Sequence, residues 1–199
     1  MKELLYSQIN EIKDVAIKEF IREALDNAPE EFWHSPCSGS GKYHPPENQG
    51  DEGVVRHLYK CGKIALELCR FFGLENPYDK DVVFAGAILH DIKKNGEPWE
   101  PSTSLEHAIV GADYLKQFDL YEPAKTDITN CVRYHMGRWS SPESELERAC
   151  NPTKRELIVQ LSDFFGSRKI ASHLPGIEIN DEDIQTFYSK FAESLNSPK

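Results

Sequence analysis

The spacing of apolar residues along the chain predicts a protein made almost entirely of α-helices. In residues 3–27, apolar side chains recur at steps of three and four positions, which is typical of one amphipathic helix. A second helix is predicted from about Gly53 to Phe72, and His57 lies beside its apolar stripe. A third, from about Asp79 to Asp91, is apolar on all faces and should therefore be central.

Capping patterns predict two further helices after this central one. Residues 103–106, Thr-Ser-Leu-Glu, match a capping box, which places His107 in the first turn of the fourth helix. Pro123 suits the first turn of a fifth helix and Gly137 suits its end. His135 then falls near the C-terminus of that helix.

The rest of the chain predicts two more helices and one long loop. Asn151-Pro152 indicates the start of a sixth helix, which extends to about Ile170 and carries Asp163 among apolar neighbours. A last amphipathic helix is expected from about residue 181 to 195. Residues 33–52 are rich in Pro, Gly and Ser, and loops of that length are often functional or disordered.

Length and composition fit one globular domain. The chain has 199 residues, 39% of them hydrophobic and 28% charged. We expect an N-terminal helix in residues 1–32, the loop at 33–52, a core at 53–170 and a C-terminal helix in 171–199. No run approaches the roughly 20 apolar residues of a membrane helix, and the N-terminus lacks a signal-peptide pattern. We therefore expect a cytoplasmic protein without a membrane partner, and the oligomeric state stays open.

Charge and cysteine content narrow the candidate functions. A net charge of -10 argues against tight, sequence-independent binding to duplex nucleic acid, although a local basic pocket stays possible. The five cysteines are scattered and do not suggest a disulfide framework. Cys61 lies four residues after His57 and could share its helix face, but a buried cysteine is usually only a small apolar side chain.

Six polar residues stand in apolar settings and come from five predicted helices. A buried carboxylate costs several kcal/mol unless something compensates it, and an adjacent histidine and aspartate end the most apolar helix. Four histidines and two carboxylates suit Mn, Fe, Co, Ni or Zn, and two metals bridged by one carboxylate would use them all. Any one of them alone is more often a packed or solvated residue. The six are His57, His90, Asp91, His107, His135 and Asp163.

Their order, H…HD…H…H…D, resembles the HD superfamily of metal-dependent phosphohydrolases. The segment His90-Asp-Ile-Lys-Lys94 is similar to the family signature HD-I-G-K, with lysine at the glycine position, and Gly53-Val-Val-Arg-His57 is similar to its lead-in. His107 and His135 match the two extra histidines of binuclear members. The resemblance covers roughly residues 42–170. Glu52 and Leu58 depart from the patterns of related members and leave the subfamily open.

The resemblance implies an all-helical HD bundle of about six to seven helices with two divalent metal ions. The first metal is expected on His57, His90, Asp91 and Asp163, and the second on His107 and His135, with Asp91 as the bridge. A water between the metals would be the nucleophile. The expected metals are Mn, Fe, Co, Ni or Zn, with Mg possible.

Three further residues are candidates for contact with substrate phosphate. Lys94 follows the His-Asp pair by one helical turn and is the first choice, and Arg138, three residues after His135, is the second. His44, on the long loop, could act as a general acid that protonates a leaving group. Each has a plain alternative as a solvated or incidental side chain. Trp99 and Trp139 could stack on a base, although such aromatics more often simply pack.

The leading interpretation is a phosphohydrolase that acts on a nucleotide or a similar small phosphorylated substrate. In this interpretation Asp91, Lys94 and His44 are catalytic. The first alternative is a nuclease that acts on single-stranded nucleic acid, which the His44 region resembles. A di-iron oxygenase and a non-catalytic HD module are further alternatives, but a degenerate module would have lost ligands and all six positions are present.

Overall fold

Helices make up the regular structure of the protein. The computed structural model describes residues 1–37 and 44–168, apart from the side chain of Glu47. This part contains no β-strand, which confirms the all-α prediction. None of its helices is both long and apolar enough to cross a membrane. The α-helices are α1 Lys2–Ile9, α2 Val15–Asp26, α3 Glu30–His34, α4 Gly53–Phe71, α5 Pro77–Leu89, α6 His107–Leu115, α7 Ala124–Arg133, α8 Glu143–Ala149 and α9 Lys154–Gly166.

Helix α5 is the centre of the bundle, as its uniform apolarity predicts. Every residue from Asp81 to Leu89 is buried, and α4, α7 and α9 pack around them. Gly86 allows α7 to come close, because a Cβ there would lie 2.6 Å from the Cβ of Cys131. The helix opens at Asn76, whose side chain accepts a hydrogen bond from the Asp79 amide at 2.9 Å. It therefore delivers the two residues that follow Leu89 into the middle of the molecule.

Helices α4 and α9 lie side by side against α5. Gly166, at the end of α9, leaves space for two side chains of α4: a Cβ there would lie 2.6 Å from Cys61 Sγ and 3.3 Å from His57 Cε1. Helix α9 begins with a capping box in which Thr153 and Glu156 satisfy each other's backbone amides. This box, rather than Asn151-Pro152, sets the start of the helix.

The single helix predicted across residues 3–27 is wrong, because the chain breaks between α1 and α2. Asp14 caps α2 and accepts hydrogen bonds from Ala16 N and Ile17 N at 2.8 and 3.1 Å. The buried carboxylate of Asp81 accepts from the amides of Lys13 and Asp14 at 3.0 and 2.7 Å. These bonds satisfy amides that a continuous helix would have used, so the apolar spacing continues while the helix does not.

Other boundaries also differ from the sequence-based expectations. The predicted capping box at 103–106 does not form, although α6 begins at His107 as expected. Helix α7 ends at Arg133, so His135 lies beyond it, and Gly137 opens a short 3-10 turn. Helix α8 was not predicted. Residues 38–43 of the long loop and the expected helix at 181–195 lie outside the described residues.

Candidate metal centre

The structure brings the six predicted residues together between α4, α5, α6, α7 and α9. His57 lies on α4 and Asp163 on α9, whereas His90 and Asp91 follow α5 directly. Of the six side chains, only that of Asp163 has substantial solvent exposure, at 24%, while the other five are buried. The centre is therefore enclosed on most sides and opens beside Asp163.

Three of the six residues form one half of the centre, around His57. Its Nε2 atom lies 3.2 Å from His90 Nε2 and 3.0 Å from Asp163 Oδ1. His90 Nε2 lies 3.5 Å from Asp163 Oδ1 and 3.5 Å from Asp91 Oδ2. Ligand atoms of one metal ion are separated by such distances when each is about 2.0–2.2 Å from the ion.

The other half of the centre contains His107 and His135. Their Nε2 atoms lie 3.2 Å apart, and Asp91 Oδ1 lies 3.2 Å from His107 Nε2 and 3.8 Å from His135 Nε2. Asp91 thus directs Oδ1 toward this half and Oδ2 toward the half around His57. A carboxylate in this position can bridge two cations.

Backbone hydrogen bonds orient three of the histidines. The Nδ1 atoms of His90, His107 and His135 lie 2.8, 2.6 and 2.7 Å from the carbonyl oxygens of the residues three positions earlier. A carbonyl only accepts, so each Nδ1 must donate, and in the neutral ring Nε2 then carries the lone pair. This arrangement is characteristic of histidines that bind metals, because it fixes both the tautomer and the ring orientation.

The buried oxygen of Asp91 tests whether these residues fit a metal. Asp91 Oδ1 is fully buried and accepts no hydrogen bond from any residue that the structure describes. Its neighbours, His107 and His135, direct lone pairs toward the same point. An unpartnered anionic oxygen beside two lone-pair nitrogens is destabilising unless a cation lies between them. The donor set therefore fits divalent cations.

The two carboxylates of the centre favour one positive charge beside them. Burial lowers the pKa of His90, but the carboxylates of Asp91 and Asp163 outweigh it and raise that pKa to about 10. Burial lowers the pKa of His135 to about 3, and the positive charge on His90 acts in the same direction. The carboxylates thus stabilise a cation at this point, which either a proton on His90 or a metal can provide.

Lys94, the first candidate for phosphate contact, is buried beside the centre. Its Nζ lies 2.5 Å from Asp91 Oδ2, one helical turn before it in the chain. Burial disfavours the charge of Asp91, but Lys94 and His90 hold the pKa of its carboxyl well below the usual range. Lys94 therefore directly contacts the carboxylate that joins the two halves.

His44 lies against a residue of the centre, whereas Arg138 lies at the surface beside Trp139. The ring centroid of His44 lies 5.3 Å from that of His57, and its Nε2 is 3.8 Å from Cys37 Sγ. Burial lowers the pKa of His44 to about 4, so the imidazole is neutral near neutral pH. Arg138 is exposed, and its Cζ lies 5.1 Å from the ring of Trp139.

Two residues near the centre, Gln160 and Cys61, are not among the site residues predicted from the sequence. Gln160 on α9 donates from Nε2 to the carbonyls of Tyr134 and Ala149 at 2.8 and 2.9 Å, which ties the segment before His135 to α9. A glutamine inside a helix gives no local signal of this role. Cys61 Sγ lies 3.5 Å from His57 Nε2, and its helical spacing did indicate that proximity.

Comparisons with known proteins agree with this geometry. The chain is 29% identical over 122 residues to a tRNA (cytidine(56)-2'-O)-methyltransferase from Picrophilus torridus, and the match covers 57% of this chain and 32% of that protein. The aligned part is thus about a third of the relative. No solved structure matches. The model of the HD domain matches residues 54–165, more than half of the chain, and this range includes all six clustered residues. The protein belongs to the HD domain family.

Proposed function

We propose that the protein is a metal-dependent phosphohydrolase with two divalent cations. The observation that carries this proposal is the position of Asp91, which directs one carboxylate oxygen to each half of the histidine cluster. His57, His90 and Asp163 would hold one cation, and His107 and His135 the other. Such cations lower the pKa of water and neutralise the charge of phosphoryl oxygens.

The residues of the chain have distinct tasks in this proposal. Asp91 fixes the separation of the two halves, because its backbone follows the rigid end of α5. Lys94 orients Asp91 through the contact at 2.5 Å and adds a buried positive charge where a phosphate oxygen would arrive. The backbone carbonyls bound to Nδ1 keep three histidines in one orientation. His44 lies close enough to contact a leaving group, and its neutral ring suits hydrogen bonding better than proton release.

The substrate in this proposal is a nucleotide or a similar small phosphate ester. Asp163 is the partly exposed residue of the centre, and in this proposal a compact phosphoryl group approaches beside it. The net charge of -10 disfavours a long polyanion as the substrate. The Picrophilus relative is named for methyl transfer to tRNA, but the match spans only about a third of that protein, and its name does not support methyl transfer by this chain.

A screen of the purified protein tests the proposal. The substrates are nucleoside monophosphates, cyclic nucleotides, bis-p-nitrophenyl phosphate and short single-stranded oligonucleotides, each with Mn, Co, Ni, Zn, Fe and Mg. We expect metal-dependent release of phosphate or a phosphomonoester from the small substrates, and chelation should abolish it. Activity on oligonucleotides alone would favour the nuclease alternative. Oxygen consumption with iron as the only supporting metal would contradict hydrolysis.

A further inference from the structure

Two aromatic side chains and two arginines form a surface beside the metal centre, which we call the aromatic wall. The rings of Trp139 and Phe164 are nearly parallel, with centroids 6.4 Å apart and planes at 14°. Arg138 Cζ lies 5.1 Å from the Trp139 ring, and Arg168 Cζ lies 4.0 Å from the Phe164 ring. Trp139 is 53% exposed, so part of its ring is accessible to solvent.

Both rings of the aromatic wall belong to residues that are close in the chain to members of the cluster. Phe164 follows Asp163 directly on α9, and Asp163 is the one clustered residue with a substantially exposed side chain. Trp139 comes four residues after His135, in the 3-10 turn Gly137–Trp139. The two rings thus stand on the two segments that carry one ligand from each half of the centre.

Packing fixes the wall relative to the centre. Gly137 has a positive φ of 52°, and a Cβ there would lie 3.2 Å from Gln160 Oε1. Gln160 also donates to the Tyr134 carbonyl at 2.8 Å, so α9 supports the segment that carries both His135 and Trp139. The positions of Trp139 and Phe164 are therefore set by the same helix that presents Asp163.

We propose that the aromatic wall binds the base of a nucleotide substrate while its phosphate lies at the metal centre. This inference rests on the proposed phosphohydrolase function and makes its substrate class specific. Flat aromatic rings stack on either face of a nucleobase, and arginine adds cation–π attraction. The nearby arginines also offset the repulsion between a phosphate and a strongly acidic protein. An aliphatic phosphate ester has no ring to stack on Trp139 or Phe164.

A comparison of two substrates and three variants tests the wall. The substrates are adenosine 5'-monophosphate and ribose 5-phosphate, in which a hydroxyl at C1 replaces the adenine base. In Trp139→Ala, the ratio of kcat/KM for the nucleotide to that for the sugar phosphate should fall about tenfold, because one stacking contact is lost. Trp139→Phe should keep most of that ratio. Trp99→Ala is the matched control, since Trp99 is also exposed, at 39%, and lies in the segment between α5 and α6.

A binding measurement separates failure of the wall from failure of the proposed function. Adenosine carries no phosphate, so its quenching of tryptophan fluorescence requires no hydrolysis. Quenching that disappears in Trp139→Phe supports the wall even if every phosphate ester is left intact. An active enzyme whose substrate ratio is unchanged in Trp139→Ala overturns it. The wall is also overturned if adenosine does not quench and Trp139→Ala only lowers the melting temperature, since the two rings would then have only a structural role.

Discussion

The Nε2 atoms of His107 and His135 lie 3.2 Å apart, while the Nδ1 atom of each is 2.6–2.7 Å from a backbone carbonyl. Two imidazoles held in this way present lone pairs to one another. These lone pairs repel each other unless one cation binds both nitrogen atoms. The first prediction follows from this arrangement.

Replacement of His107 by Ala should lower the metal content from two ions to one, because it removes one of the two nitrogen ligands in that half of the centre. Metal content per chain is measured by mass spectrometry after loading with Mn or Co. His34→Ala is the control, since His34 is an exposed histidine paired with Asp51. If His107→Ala still binds two ions, the assignment of a second metal to His107 and His135 is wrong.

Asp91→Asn should remove activity almost entirely. The amide keeps the shape of the carboxylate but loses the negative charge that both halves share. We expect a fall in kcat/KM of more than about 100-fold and a loss of bound metal. Asp119→Asn, at an exposed position, should leave both unchanged. Full activity in Asp91→Asn would exclude a bridging carboxylate.

Lys94→Met should retain the metals but raise KM or lower kcat about tenfold, because Asp91 Oδ2 loses a charge-assisted hydrogen bond and the phosphate loses a cation. The adjacent Lys93→Met is a close control. Lys93 is also nearly buried, but its Nζ contacts Glu97 at 2.7 Å and lies 4.3 Å from the Tyr114 ring. Steady-state kinetics and metal analysis of both variants test this prediction. Equal kcat and KM in the two variants would show that Lys94 has only a structural role.

Gln160→Leu should weaken metal binding about tenfold, although Gln160 is not itself a proposed ligand. Its amide holds the carbonyls of Tyr134 and Ala149, and without it the segment that carries His135 loses its tie to α9. Competition with a fluorescent chelator measures the affinity. Gln117→Leu is the control, because Gln117 is exposed just after α6 and donates to the carbonyl of nearby Tyr114 at 3.0 Å. An affinity like that of the unmodified protein in Gln160→Leu would show that His135 needs no such support.

The sequence predicted the six clustered side chains from their local settings and from their order along the chain, and their binding of metals stays a prediction. A histidine and an aspartate at the end of an apolar helix are conspicuous whatever the rest of the chain does, and so is Asp163 among Leu161 and Phe164. The helices α4 and α5 could be placed for the same reason, since the apolar residues that predict them lie within the helices themselves. Helix α6 begins at the expected residue, although the capping box that predicted it does not form.

The parts that could not be predicted depend on distant partners. The break between α1 and α2 is stabilised by Asp81, whose carboxylate binds an amide 67 positions away in the chain. The role of Gln160 becomes visible only once α9 lies beside the turn after α7. Helix α8 is short and largely charged, and Arg133 holds it through Glu145 with contacts at 2.9 Å. No periodic spacing of apolar residues predicts a helix of this kind.

The contact between His57 and Asp163 joins positions that are 106 residues apart in the chain. A cation held by both must dissociate before α4 and α9 can separate, so its binding free energy adds to the free energy of unfolding. The folded population of this protein should therefore rise with the concentration of free metal around it, and its half-life against proteolysis should follow the supply of that ion.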